Sequence, residues 1–457
     1  PQLGLHNWIV SFDLNSLYPH LIMQYNISPE TFLGVEPKAV GVENFLDEKL
    51  NLKWAKDRNV TIAPNGAMFK RDKQGFLPEL MEKMYTERVV YKKKAIEAKI
   101  EYQKTKDPIY SNEISRCHNI QMAKKISLNS AYGAIGNQYF RYFDVKQAEA
   151  ITLGGQLSIR WIERDVNKFM NKLLGTDNKN YVVASDTDSI YLKLDTLVEK
   201  VCKNKSTKQI VDFLDKAAEE KIQKVIDSSF ENLAKYVNAY QQKMIMKREA
   251  IANKGIWVAK KRYMMNVFDE EGVKYDIPKL KIMGVEAVKS STPEVCRGKI
   301  KDAIRVIMND NEDALIKFVT DFKEVFKSLS PEEVAFPRSC NNLGKYTNSS
   351  NIYNKGTPIH VKGALIYNHN IYRHKLSAKY PIIKDGDKIK FLMLKQPNVV
   401  KDTVISFSTK IPYEFDLHKY VDYDTQFEKT FTDPLRFILD SIGWKLEREA
   451  TLEAFFG

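Results

Sequence analysis

Cysteine is scarce in this chain: Cys117, Cys202, Cys296 and Cys340 are the only four in 457 residues, and no two form a C-x-x-C pair. That spacing excludes a disulfide scaffold and gives no support to a zinc site or a redox dithiol. Free buried thiols in a reducing compartment are the better reading. Long apolar runs are also missing, so no segment is expected to span a bilayer. The first residues, Pro1 to Leu5, lack the basic stretch and apolar core of a signal peptide. A soluble, cytoplasmic protein with no membrane partner is the expectation. The sequence shows no internal repeat or low-complexity tract.

What is present is ordinary for a globular protein, with 43% hydrophobic and 28% charged residues, enough apolar surface for a sizeable core. The length suggests two to four folding units. Lysine and arginine number 71 against 58 acids, a formal net charge of +13. An excess of that size favours a polyanionic partner, and nucleic acid is the commonest one.

Along the chain, residues 8–14 read as a buried strand ending in an acid. Residues 78–104 read as a long exposed helix opened by Pro78, followed by a turn at 105–112 around Asp107-Pro108. A second helix is expected from Glu113 to Ala134, making a helical hairpin, and a third over 146–174. Residues 181–185 and 190–194 read as short strands flanking Asp186-Thr187-Asp188-Ser189, a hairpin with acids at its tip. Helical patterns at 207–240, strands over 243–289 and helices from Glu294 to Leu329 complete an α+β order.

The acids form the first constellation. In an extended segment residues i and i+2 point to the same side, so Asp186 and Asp188 are placed to face one ion. If the strand ending at Asp13 lies beside that hairpin, three carboxylates cluster. Such a cluster is neutralised by a hard cation such as Mg²⁺ through oxygen ligands. Two such ions can activate a 3′-hydroxyl and stabilise a leaving pyrophosphate. The alternative is a solvated turn.

The helical hairpin supplies the opposite charge. Arg88 and Lys92 are four apart on one helix face. Lys125, Asn129 and Tyr132 follow i, i+4, i+7 on the second helix. Two helices aiming Arg88, Lys92 and Lys125 at one place suit a triphosphate. Taken singly, each lysine also reads as part of a solvated face.

These residues carry a resemblance. Asp13-Leu14-Asn15-Ser16-Leu17-Tyr18-Pro19 is similar to motif A of the family B DNA polymerases, D-x-x-S-L-Y-P. Lys125 through Asn129, Ser130, Tyr132 and Gly133 resembles motif B, and Asp186-Thr187-Asp188-Ser189 resembles motif C. Lys260-Lys261-Arg262-Tyr263 resembles the K-K-R-Y element that touches primer-template DNA. Order and spacing match as well, and the stretches 26–31 and 281–293 look like the replicative polymerases of large tailed phages.

The resemblance implies a right-hand polymerase fold. The palm is expected at 1–75 and 138–284, inserted fingers at 76–137, and a thumb with C-terminal tail at 285–457. It implies template-directed DNA synthesis from dNTPs on primer-template DNA, with two Mg²⁺ ions for which Mn²⁺ substitutes. Asp13, Asp186, Asp188 and the Leu14 carbonyl are the implied metal site. The backbone of Ser16, Leu17 and Tyr18 would cradle the triphosphate, with Arg88, Lys92, Lys125 and Asn129 around it. The Tyr18 ring would lie under the sugar and collide with a 2′-hydroxyl, and Tyr132 would rest against the nascent base pair from its minor-groove side. Glu249 resembles a further palm acid.

Two departures from the family pattern stand out: Ala184-Ser185 replaces the usual Tyr-Gly before D-T-D, and the helical hairpin is short for the phage branch. Twelve residues precede Asp13, where proofreading members carry a nuclease domain. A polymerase core without its own exonuclease is therefore the expectation, either as an excised or naturally split portion of a polymerase or with the nuclease as a separate polypeptide. Two rival readings are a metal-dependent nuclease using the same acids and a non-catalytic DNA-binding descendant. At the C-terminus Leu452, Phe455 and Phe456 fall at i, i+3, i+4, similar to the sliding-clamp peptides of replicative polymerases, or else a terminal turn packed on the core.

Overall fold

The computed structural model describes residues 1–446 apart from Ser349. Leu452, Phe455 and Phe456 lie outside the described residues. Helices and antiparallel sheets are mixed throughout, and the chain divides into two compact units. The larger unit holds Asn7–Asn253 and Phe268–Ile277; the second holds Pro1–His6, Lys254–Val267 and the chain from Pro278 onward.

Nine elements build the larger unit around its site. Strand β1 (Gly4–Leu14) leads into helix α1 (Leu17–Tyr25). Helices α2 (Phe76–Thr105) and α3 (Pro108–Ile135) form the hairpin, and α4 (Val145–Leu174) follows. Strands β2 (Val182–Asp186) and β3 (Ser189–Lys193) pair next, and β4 (Met246–Ala259) and β5 (Arg262–Glu270) come later. With β6 (Val273–Met283) the sheet order is β2-β3-β1-β4-β5-β6. The last three strands continue along the chain into the second unit.

The core lies between this sheet and α4. Alternation along β1 sends Val10, Phe12 and Leu14 inward beside Ile190 and Leu192 of β3. Helix α4 answers with Ile151, Gly154, Leu157, Ser158, Trp161 and Ile162, a stripe at helical spacing. Asp144 caps its N-terminus, accepting from the N–H groups of Lys146 and Gln147. At Gly155 a β-carbon would stand 3.2 Å from a Leu17 methyl, so this glycine lets α4 come close against α1.

The second helix of the hairpin begins earlier than the sequence suggests. Asp107-Pro108 is not a long turn but a helix start: the Asp107 carboxylate accepts from the Ile109 N–H, and Pro108 occupies the first helical position. Only Lys106, in the left-handed conformation, and Asp107 separate the two helices.

The second unit packs around its own core. Helices Glu294–Asn309, Glu312–Lys327 and Ile359–Arg373 surround a sheet in which Lys388–Met393 pairs with both Phe336–Ser339 and Val404–Phe407. Phe322, Phe326, Phe427 and Phe431 form a mutual aromatic cluster there. All four cysteines are free and buried. Among the described residues no helix is long and apolar enough to cross a membrane.

Candidate active site

The site grows out of the pairing of β1 with the β2–β3 hairpin. Antiparallel register sets Asp13 opposite Ser189, whose hydroxyl donates to Asp13 Oδ1 at 2.7 Å. The Leu14 N–H donates to the Asp188 carbonyl at 2.8 Å, so backbone hydrogen bonding alone fixes these two acids side by side.

Asp186 and Ser189 close the hairpin, leaving Thr187 and Asp188 as its tip. Thr187 sits at φ 54, and the Asp188 N–H turns back onto the Asp186 carbonyl at 2.6 Å. A β-branched residue in that region stores roughly 1–3 kcal/mol of strain, a cost met chiefly at functional positions. This turn also corrects one expectation. The segment is not extended at 187, so the rule that i and i+2 share a side does not apply, and the three acids do not gather about one point. Asp13 and Asp188 line the central cavity; Asp186 is not among its lining residues. Among the described residues no group of three His, Cys, Asp or Glu side chains is placed to hold a metal ion.

Facing the acids is a cavity of about 490 Å³. Its walls carry Asn15 through Tyr18, Arg88 and Lys92 from α2, Lys125, Asn129 and Tyr132 from α3, and Glu249 and Glu271. The sequence-read residues of the two helices thus converge with Asp13 and Asp188. Ser16 lies at φ 50, ψ 61 before the first turn of α1, whose leading N–H groups have no acceptor within the helix. Its hydroxyl accepts from Arg88 Nη1 at 2.5 Å, while Arg88 Nε is buried without a hydrogen-bond partner. The Tyr18 and Tyr132 ring centroids are 4.6 Å apart, so the two tyrosines expected to touch sugar and base pack together at one end of the cavity.

Burial is the main cause that pushes the Asp188 acid above the usual carboxylate range, and the charges of Asp186 and Glu249 add to it while Lys125 opposes. Burial likewise raises the Tyr18 phenol, with Tyr132 and Asp188 contributing, and lowers Arg88. An acid crowded by like charges in partly desolvated surroundings is the electrostatic condition that a cation relieves. Two carboxylates on a cavity wall shared with Leu14 and Asn15 offer oxygen donors of the kind that fits a hard divalent ion. The fit is that of Asp13, Asp188 and backbone, without a third clustered acid.

The remaining sequence-read residues lie elsewhere. Lys260 and Lys261 are exposed at the turn between β4 and β5, within the second unit. Arg262 stands over the Phe437 ring at 5.3 Å, and Tyr263 is buried, stacked on Trp257. Ser185 is exposed, its hydroxyl 3.4 Å from Glu163 Oε2 on α4.

Sequence reasoning missed Gln121, Met122, Glu271 and His20. Gln121 falls four residues before Lys125, so extending the i, i+4 stripe backwards would have found it. Glu271 carries no such signal, because Lys92, which it meets at 2.8 Å, is 179 residues away in the chain. His20 is 1% exposed, its ring edge-on to Tyr85 and its Nδ1 2.9 Å from the Ser16 carbonyl. A carbonyl only accepts, so Nδ1 carries the proton. Burial, with Lys243 and Arg88 nearby, lowers this imidazole to about 4.

The chain in which Asp13 and the hairpin-tip Asp188 face this basic helical hairpin belongs to DNA polymerase family B, whose family model matches residues 1–442. Among curated proteins it is similar to the DNA-directed DNA polymerase of Escherichia phage RB69, 33% identical over 100% of this chain and 56% of the relative. The DNA-directed DNA polymerase of Enterobacteria phage T4 is 31% identical with the same coverage. DNA polymerase 1 of Pyrococcus abyssi (strain GE5 / Orsay) is 26% identical over 98% of this chain and 47% of its own length. The chain spans about half the length of the curated relatives it matches.

Proposed function

We propose that this chain catalyses template-directed DNA synthesis, joining dNTPs to a primer 3′-hydroxyl. The observation that carries the reading is the single cavity in which Asp13 and Asp188 face Arg88, Lys92 and Lys125. On this reading the sheet of the larger unit is the palm, α2 and α3 are the fingers (76–137), the palm resumes at 138–284, and the thumb follows from 285.

Asp13 and Asp188, with the Leu14 carbonyl, would hold Mg²⁺; Asp186 would act from beside them through its charge. Held by these residues, such ions would lower the pKa of the attacking hydroxyl and neutralise charge developing on the phosphates. The chain's own groups supply position and field, which is most of what phosphoryl transfer needs. The leading N–H groups of α1 meet phosphate oxygens at the positive end of the helix. Arg88 offers its unpaired Nε as a further donor, and Lys92 and Lys125 add charge from either side. Tyr18 excludes a ribose 2′-hydroxyl by occupying its space. Tyr132 and Asn129 line the base side, and Lys260, Lys261 and Arg262 belong to the primer-template path. The Leu452, Phe455 and Phe456 tail is a candidate clamp peptide, and a separate proofreading polypeptide is a candidate partner.

The test is extension of a labelled primer-template in Mg²⁺, with dNTPs and rNTPs compared. Dependence on both template and dNTP is expected. Primer shortening that persists through purification, with no extension, would replace the reading by a metal-dependent nuclease.

A further inference from the structure

Glu271 lies in the same cavity as the acids and the basic hairpin, with its carboxylate 2.8 Å from Lys92 Nζ. We propose that Glu271 is a competitor built into the nucleotide site, holding the Lys92 ammonium until a nucleoside triphosphate displaces it. It thereby sets how tightly the protein gathers triphosphate. This rests on reading the cavity as a nucleotide site and adds a residue that governs affinity there.

The turn that carries Glu271 is tightly held. Glu271 and Gly272 are a two-residue link between β5 and β6, at φ 51 and φ 86. Both positions of such a link are left-handed, a geometry that favours Asn, Asp or Gly at the first. Glutamate is a poor local choice, so the turn itself does not explain it. The Glu271 N–H donates to the Glu249 carbonyl at 2.7 Å, and the Gly272 N–H to Asp269 Oδ1 at 2.9 Å. Asp269 is wholly buried and pairs with Arg248 at 2.5 Å, which also meets Asp215 at 2.9 Å. A buried ion network therefore clamps the base of the turn while its acid reaches into the cavity.

The strength of the pair suits exchange. Lys92 and Glu271 are 39% and 48% exposed. Pairs so open to water are weakly stabilising and readily give way. Several phosphate charges offer Lys92 a stronger partner than one carboxylate. Until they arrive, Glu271 lowers the free population of Lys92.

A double-mutant cycle tests this. Single-nucleotide incorporation is measured for wild type, Glu271→Gln, Lys92→Gln and the double variant, with melting curves as a fold check. Glu271→Gln is expected to lower the dNTP KM about two- to five-fold, the range of an exposed pair. Lys92→Gln is expected to raise KM, and adding Glu271→Gln to it should bring no further fall. Inorganic pyrophosphate titrated into the proteins without DNA should follow the same order of affinities, a readout independent of synthesis. An equal KM fall in both backgrounds would show simple repulsion and overturn the exchange. An unchanged or raised KM in Glu271→Gln would overturn the competitor outright, as would a steep kcat loss restored by Mn²⁺, which assigns the acid to metal. Wild type that never extends a primer defeats the polymerase reading instead, and the pyrophosphate order then decides the fate of the competitor alone.

Discussion

The two walls of the cavity are built in opposite ways. Asp13 lies at the end of a strand whose register sets it opposite Ser189, Asp188 sits at the adjoining hairpin tip, and α4 buries thirteen residues in the same core. Arg88, Lys92 and Lys125 ride on helices of 30 and 28 residues that bury little among the described residues: Leu77, Pro78, Met81, Ala95 and Ala98 on α2, and Cys117, Leu128 and Ile135 on α3. Backbone hydrogen bonds and core packing thus fix the acids, whereas a long exposed hairpin holds the cations. On the polymerase reading, the groups that set reaction geometry sit where the structure resists displacement, and the groups that gather a mobile, charged substrate sit where it yields.

The contrast is broken most severely from the acid wall. Asp13→Asn is expected to reduce primer extension at least about a thousandfold, since a lost metal ligand costs several kcal/mol of barrier. Binding of primer-template should stay within a few-fold, as measured by fluorescence anisotropy.

Hydrogen exchange sharpens the same contrast without mutation. Amides in the middle of α2 and α3 should exchange about a hundredfold faster than those of α4 near Trp161, because few buried contacts oppose local opening of the hairpin. Equal protection would remove the mechanical distinction between the walls.

His20 links α1 to α2, donating to the Ser16 carbonyl and packing on Tyr85, three residues before Arg88. Its imidazole is held down to about 4. The folded form therefore disfavours the charged ring, and its contribution to stability is present above the ordinary histidine range and lost as pH falls from about 6.5 through about 4. Urea titrations at pH 7 and pH 5 should show a loss of about 2 kcal/mol from this residue. His20→Asn, which keeps a donor toward the carbonyl, should flatten that part of the acid limb.

Tyr18 marks where α1 meets α3, through its contact with Tyr132. Tyr18→Ala should raise the rNTP/dNTP ratio of kcat/KM by about tenfold, the scale of a relieved steric contact of 1–2 kcal/mol. An unchanged ratio would show that the ring does not gate the sugar.

Much of this was legible in the residues because it is local. Alternation gave β1, helical spacing gave the stripes of α2 and α3, and Asp186 to Ser189 gave the hairpin tip. The misreadings also have physical causes. Asp107-Pro108 serves as a cap and first turn rather than a loop, and Thr187 adopts a backbone conformation that no β-branched residue advertises. Tyr263, quoted for a DNA contact, is stacked on Trp257. Glu271 and His20 gain their meaning only from partners brought by the fold, Lys92 for one and Tyr85 for the other, and no periodicity announces such contacts.

Transient-state incorporation of one nucleotide tests the division of labour most directly, by giving the maximal rate and the dNTP dissociation constant separately for wild type, Asp188→Asn and Arg88→Ala. Asp188→Asn is expected to collapse the rate by about three orders of magnitude or more with nucleotide affinity within a few-fold. Arg88→Ala should weaken nucleotide binding about tenfold or more, the value of one or two charge-assisted hydrogen bonds, with a smaller loss of rate. The reverse assignment, or equal losses in both quantities for both variants, would contradict this division of labour.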